Sequence, residues 1–204
     1  MNRAATATPV CRLALLGGES SGKTTLAIAL AEALHTVWVP EYGRQLWEEL
    51  RQTLDMVQLL HVAQRQVELE ESAAQHARVW LVCDTTPLTT LQYCLHDHGQ
   101  APPDLHALAR RHYDLQLLCM PDFGFVQDGC RRDDGFRQQQ HTWALQQLAA
   151  QGANVLTVRG TVAQRVEQVV QALRASRWAA AASTIDTRVS VQPDTQLLVK
   201  ESKK

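Results

Sequence analysis

With 45% hydrophobic and 20% charged residues in 204, the chain can bury a sizeable core, and its length favours one domain over two. Its 20 basic and 21 acidic side chains nearly cancel, which excludes a general basic field for gathering nucleic acid or an anionic membrane. Five scattered cysteines without a Cys-x-x-Cys pair exclude a disulfide framework or zinc site, and no apolar run approaches the roughly 18 residues of a membrane span, so a cytoplasmic setting is expected.

The first predicted element is a buried strand, Leu13–Leu16, which runs straight into Gly17, Gly18, Glu19, Ser20, Ser21, Gly22, Lys23 and Thr24. This is a complete Gly-x-x-x-x-Gly-Lys-Thr loop between a strand and a helix, here Thr24–Leu34. Gly17 and Gly22 allow successive N–H groups to turn inward, and the helix N-terminus adds its dipole, so the loop is built to hold the phosphates of ATP. Lys23 supplies a point charge for the β and γ phosphates. The Thr24 hydroxyl is placed to ligate Mg²⁺, and Thr25 faces the α-phosphate side.

A second short strand, Val37–Val39, ends at Pro40, Glu41, Tyr42, Gly43 and Arg44, on the side of an α/β sheet where ligands collect. Glu41 can orient an acceptor hydroxyl and take its proton, with Arg44 neutralising charge nearby; the competing reading is a solvated turn with an Arg–Glu pair. A long helix follows over roughly 55–77. The third strand, Val79–Cys83, delivers Asp84 to the same edge, where the loop chemistry needs a carboxylate to hold magnesium; capping of the next helix, Pro87–Leu95, is its alternative role. His96, Asp97 and His98 lack a third ligand at metal-binding spacing and are not read as a metal site. Gln64 and Gln66 are read as a wet helix face, and Trp80 and Trp143 as packing residues.

A helix over Pro103–Arg111 and a strand over Leu115–Met120 come next. They lead to a charged loop from Asp128 to Arg137, which reads as a mobile lid or, more simply, as a solvated loop. Arg131 and Arg137, set back from a tip at Asp133 and Asp134, are the candidates to close over the phosphates. A helix over Gln138–Gln151, a strand over Val155–Val158 and a helix over Thr161–Arg174 complete the pattern. The expected fold is α/β: a three-layer α/β/α P-loop NTPase with a five-stranded parallel sheet and an arginine-bearing lid, spanning 10–178. Residues 179–204 are expected to form a peripheral or partly disordered tail.

Taken together, Gly17–Thr25, the Glu41, Tyr42, Gly43, Arg44 element, Cys83, Asp84 and Thr85 with Thr89 and Thr90, and Asp128 to Arg131 with Arg137 resemble the NadR-type ribosylnicotinamide kinase domains. The order and spacing agree over about residues 10–175. The resemblance implies transfer of the ATP γ phosphate to the ribose 5′-hydroxyl of a nucleoside such as nicotinamide riboside, with Glu41 or Asp84 near that hydroxyl. Two departures stand out. Only about ten residues precede the first strand, so the adenylyltransferase domain that usually comes before this kinase is not expected. Pro40 also replaces the aromatic expected before Glu41, which leaves Trp38, on the same side of the strand alternation, as the substitute platform. The expected partner is therefore a small nucleoside acceptor, with no nucleic acid or membrane, and no oligomeric state is read. The alternative is a regulatory nucleotide-binding ATPase acting on a partner protein; a GTPase is disfavoured by the lack of an Asn-Lys-x-Asp element.

Overall fold

The computed structural model describes residues 10–127 and 131–175. Asp128, Gly129 and Cys130 of the expected lid, the boundary at 178 and the expected tail lie outside the described residues.

Five strands form one fully parallel sheet in the order β2-β3-β1-β4-β5: β1 (Cys11–Leu16), β2 (Trp38–Val39), β3 (Trp80–Asp84), β4 (Leu115–Cys119) and β5 (Val155–Val158). The strands are short, apolar runs because helices cover both faces, so no alternation with polar residues is needed. On β1 the alternation is between two cores. Leu13 and Leu15 face helices α1 (Lys23–Ala33) and α7 (Val162–Ala175), whereas Ala14 and Leu16 face the opposite layer. That second layer contains α3 (Met56–Ala74), α4 (Pro87–His98), α5 (Pro103–Leu108) and α6 (Asp134–Ala150). Three layers around a five-stranded parallel sheet are the architecture expected from the sequence.

One helix was not expected. Residues Tyr42–Leu50 form α2, although Pro40 and Gly43 read as a turn. Gly43 is there for packing: a Cβ at this position would sit 3.2 Å from Val62 Cγ1, so the small residue lets α2 lie against α3. The start of α3 follows its sequence signal, since Asp55 and Gln58 form a reciprocal capping box, with Gln58 N–H donating to Asp55 at 2.8 Å and Asp55 N–H donating to Gln58 at 2.9 Å. The helix α6 begins four residues earlier than the hydrophobic pattern suggests, because the Asp133 carboxylate accepts from Phe136 N–H and caps it.

Candidate active site

Central strand β1 points its C-terminal end at the phosphate loop, and Asp84 pairs in register with Leu15 on the neighbouring strand. Within the loop, Gly17 has φ 138° and Gly22, the residue preceding α1, has φ 77°. A Cβ on Gly22 would also lie 2.7 Å from the Phe123 ring, so both backbone conformation and space demand glycine there. Lys23 Nζ donates to the carbonyls of Gly17 and Gly18 at 3.0 and 2.9 Å, so its charge lies across the mouth of the loop. Residues Glu19 to Thr25, with Glu41, Arg44, Tyr93 and Arg131, line a cavity of about 110 Å³.

Asp84 is 1% exposed. Thr24 Oγ1 donates to its Oδ2 at 2.6 Å, while Oδ1 is buried without a hydrogen-bond partner. Capping of α4 falls instead to Thr86, whose hydroxyl accepts from Leu88 N–H. A buried carboxylate with one oxygen left over, beside a hydroxyl at the phosphate cavity, is a donor set that fits Mg²⁺. Burial raises the Asp84 pKa above the ordinary carboxylate value, against the Thr24 hydrogen bond, and it raises that of Glu41 too, where the Asp84 charge adds to the effect.

Glu41 precedes α2, and its carboxylate makes no capping bond to that helix. The backbone on either side is held by Gln66, which was expected on a wet helix face and is instead buried. Gln66, 2% exposed on α3, accepts from Tyr42 N–H at 3.0 Å and donates to the Pro40 carbonyl at 3.2 Å. A polar residue on the inner face of an otherwise apolar helix stripe was the available signal.

A second, mostly apolar cavity of about 120 Å³ adjoins the first. Its walls come from Gly43, Arg44 and Trp47 of α2, Thr53 and Leu54, Leu59 and Val62 of α3, Thr89, Thr90, Tyr93 and Asp97 of α4, and Arg132. Arg44 and Tyr93 belong to both cavities, so the phosphate cradle and the apolar chamber share a wall.

The other expected residues are placed differently. Trp38 lines neither cavity; β2 pairs Trp38 with Val82, and the indole packs into the core on the α1 and α7 face, so the expected platform is on the wrong side of the sheet. Trp47 is the indole at the chamber. Tyr42 turns back to α3, its ring edge-on to His61 at 5.9 Å. Arg137 also lines neither cavity. Once Asp133 starts α6, Arg137 becomes helical and buried, donating to the Phe123 carbonyl at 2.8 Å, pairing with Asp134 and covering Gly18. Arg131, by contrast, does face the phosphate cavity. His96 packs against Phe136 with the rings tilted at 58°, Asp97 pairs with Arg132 and His98 donates to the Leu54 carbonyl; no cluster of three or more metal-binding side chains occurs among the described residues.

Arg165 of α7 was not anticipated. Its fully buried guanidinium donates to the carbonyls of Ser21 (2.7 Å), Met120 (2.8 Å) and Gly160 (2.9 Å) and lies 4.5 Å from the Phe123 ring centroid. It braces the phosphate loop from behind, where its planar fork reaches three acceptors at once. A lone arginine in a helix gives no sequence signal for that role.

Comparison with known proteins agrees with this geometry. The profile of a family described as AAA domain matches residues 12–165. The chain belongs to this AAA domain family. The trifunctional NAD biosynthesis/regulator protein NadR of Salmonella typhimurium (strain LT2) is 32% identical over 124 residues, which is 58% of this chain and 30% of that protein. The NadR protein of Escherichia coli (strain K12) is 32% identical over 126 residues, with the same coverage. The chain thus spans about a third of the length of these curated relatives. Among solved structures, NadR in complex with NAD and AMP-PNP superposes with a TM-score of 0.69 at 19% identity, over 83% of this chain and 50% of that one. Thymidylate kinase from Ehrlichia chaffeensis superposes at 0.56 with 18% identity, over 80% of this chain and 98% of that one. The fold is that of the P-loop kinases. No helix among the described residues is long and apolar enough to cross a membrane.

Proposed function

We propose that this protein is an ATP-dependent kinase that transfers the γ phosphate to the ribose 5′-hydroxyl of a nucleoside, with nicotinamide riboside the favoured acceptor. The observation that carries this reading is the shared wall: a phosphate cradle opening, past Arg44 and Tyr93, onto an apolar chamber with one indole and a few polar groups. Similarity to the NadR proteins supports both the reaction class and a role in NAD salvage, and the scattered thiols support a cytoplasmic setting.

In this mechanism the loop N–H groups and Lys23 hold the triphosphate of ATP. Thr24 and Asp84 would hold Mg²⁺, which neutralises charge on the β and γ phosphate oxygens when bound. The acceptor lies in the chamber with its 5′-hydroxyl at Glu41. As the hydroxyl oxygen bonds to the γ phosphorus, the bond from that phosphorus to the β–γ bridging oxygen breaks, leaving ADP. The hydroxyl proton passes to the Glu41 carboxylate, and Arg131 and Lys23 meet the charge on the transferring group.

The test is ADP formation from ATP and Mg²⁺ with a panel of nucleosides including nicotinamide riboside, with Lys23→Ala as the control. Acceptor-dependent ADP with an equal yield of nucleoside monophosphate is expected. Slow turnover that ignores every nucleoside would replace this reading with a regulatory ATPase.

A further inference from the structure

The Glu19 carboxylate does more than sit in the phosphate loop. It is 8% exposed, and its two oxygens are divided between two different elements. Tyr93 Oη of α4 donates to Oε1 at 2.8 Å, and Arg132 N–H donates to Oε2 at 2.7 Å. The Glu19 backbone is fixed separately, its N–H donating to Gln140 Oε1 at 2.8 Å. The side chain is therefore free to respond to its partners while the loop keeps its shape.

Those partners straddle the two cavities. Arg131 faces the phosphate cavity and Arg132, the next residue, faces the apolar chamber. The Arg132 guanidinium pairs with Asp97, whose side chain is 10% exposed, and lies over the Phe136 ring at 4.7 Å. Tyr93 belongs to both cavities. Any molecule filling the chamber against Tyr93, Asp97 and Arg132 thus presses on both donors to Glu19, one of which is the backbone N–H next to Arg131, whose own guanidinium donates to the Val126 carbonyl at 2.6 Å.

We infer that Glu19 is a positioning residue that couples occupancy of the acceptor chamber to the triphosphate site, through Tyr93 on one oxygen and the Arg131–Arg132 segment on the other. The inference rests on the nucleoside-kinase reading above. Acceptor in the chamber favours the geometry in which Arg131 faces the γ phosphate, and nucleotide in the loop favours the geometry that closes Arg132 and Asp97 over the acceptor. By linkage the two effects are equal in size, typically five- to 150-fold in affinity.

The experiment measures nicotinamide riboside affinity by calorimetry, with and without AMP-PNP and Mg²⁺, for the wild type, Glu19→Ala and Glu19→Gln. The wild type is expected to bind the nucleoside at least about fivefold more tightly when nucleotide is present. In Glu19→Ala that ratio falls to about one; because the ratio compares nucleoside affinity with and without saturating AMP-PNP, it reads the coupling separately from any change in AMP-PNP affinity itself. Glu19→Gln keeps the coupling: its amide oxygen accepts from Arg132 N–H and its amide donates to Tyr93 Oη. A wild-type ratio retained in Glu19→Ala overturns the inference, as does a loss that Glu19→Gln does not restore. If the wild type binds no nucleoside, the kinase reading falls, and amide exchange at Arg132 alone decides whether nucleotide acts on the Glu19–Arg132 hydrogen bond. AMP-PNP must slow that exchange in the wild type and not in Glu19→Ala; equal behaviour in both overturns it.

Discussion

Two groups of carboxylates, fully buried in Glu70 and Asp84 and half-buried in Glu41, lie at opposite ends of the same parallel sheet and are partnered in opposite ways. Near the N-terminal ends of β1 and β4, Glu70 of α3 is saturated: Tyr113 Oη donates to it at 2.9 Å, Arg111 Nε at 3.1 Å, and Arg111 and Arg12 continue the network to Glu71. At the C-terminal ends, Asp84 keeps a bare oxygen and Glu41 makes no cap. Burial raises the pKa at all three, so desolvation alone does not distinguish them. What differs is satisfaction. A saturated cluster holds the fold together, whereas a buried carboxylate left short of partners in a cavity has its remaining valence reserved for something that binds.

The sharpest way to break this contrast is to remove Glu70. Glu70→Ala takes one partner from Arg111, which keeps Glu71, and leaves the buried Tyr113 hydroxyl without its acceptor, so a cost of about 1–3 kcal/mol is expected in urea unfolding. The nucleotide KM of the remaining folded protein should not move. A smaller loss would mean that water replaces the carboxylate and the cluster is not structural.

Next comes the pH dependence of that cluster. The Glu70 pKa is raised from 4.5 to about 7, chiefly by burial against the opposing bonds from Tyr113 and Arg111. Between those values the folded protein keeps a proton the unfolded chain has released. The stabilisation is therefore complete below about pH 4.5 and is lost as pH rises through about 7, by roughly 3 kcal/mol in all. Glu70→Gln carries no titrating proton, so the difference in unfolding free energy between it and the wild type should change by that amount across the window. A constant difference would show that Glu70 does not titrate there.

The ligand end should behave the other way. Asp84→Asn is expected to lower turnover on the order of a hundredfold, about 2.7 kcal/mol, and to raise the Mg²⁺ needed for half-maximal rate. It should change stability by no more than about 1 kcal/mol in either direction, because the loss of a buried charge offsets the amide N–H groups left without acceptors where Oδ1 stood, while the amide oxygen still accepts from Thr24. A fall in stability like that of Glu70→Ala would make Asp84 a structural residue and erase the distinction.

The same contrast explains what could be read from sequence. The phosphate loop and the strands were legible because each is a local signal: the loop spacing fixes its own backbone, and short apolar runs between helices fix the sheet. The expected strands Val37–Val39 and Val155–Val158 match β2 and β5 to within a residue. The apolar chamber was not legible, because Trp47, Asp97 and Arg132 come from separate segments that only tertiary packing brings together. Trp38 shows the limit well. Alternation along a strand does not say which face of a sheet buried on both sides carries the ligand, and Trp38 packs on the α1 and α7 face. Arg137 failed to reach the cavity for a local reason, since the cap at Asp133 turned the expected loop into helix.

The mildest test concerns Glu41 itself. A carboxylate that accepts the acceptor proton works only when ionised, and burial, with the nearby Asp84 charge, holds its proton above the ordinary value of 4.5. At saturating Mg²⁺ and both substrates, turnover should fall as pH drops through that raised pKa, by about tenfold per pH unit below it. Glu41→Gln should lower the plateau and remove the acid limb altogether, because an amide has no proton to lose. If the limb survives in Glu41→Gln, the titrating group is elsewhere and Glu41 only orients the hydroxyl. In that case satisfaction of a buried carboxylate still separates the binding end of the sheet from the structural end, but it does not by itself identify the base.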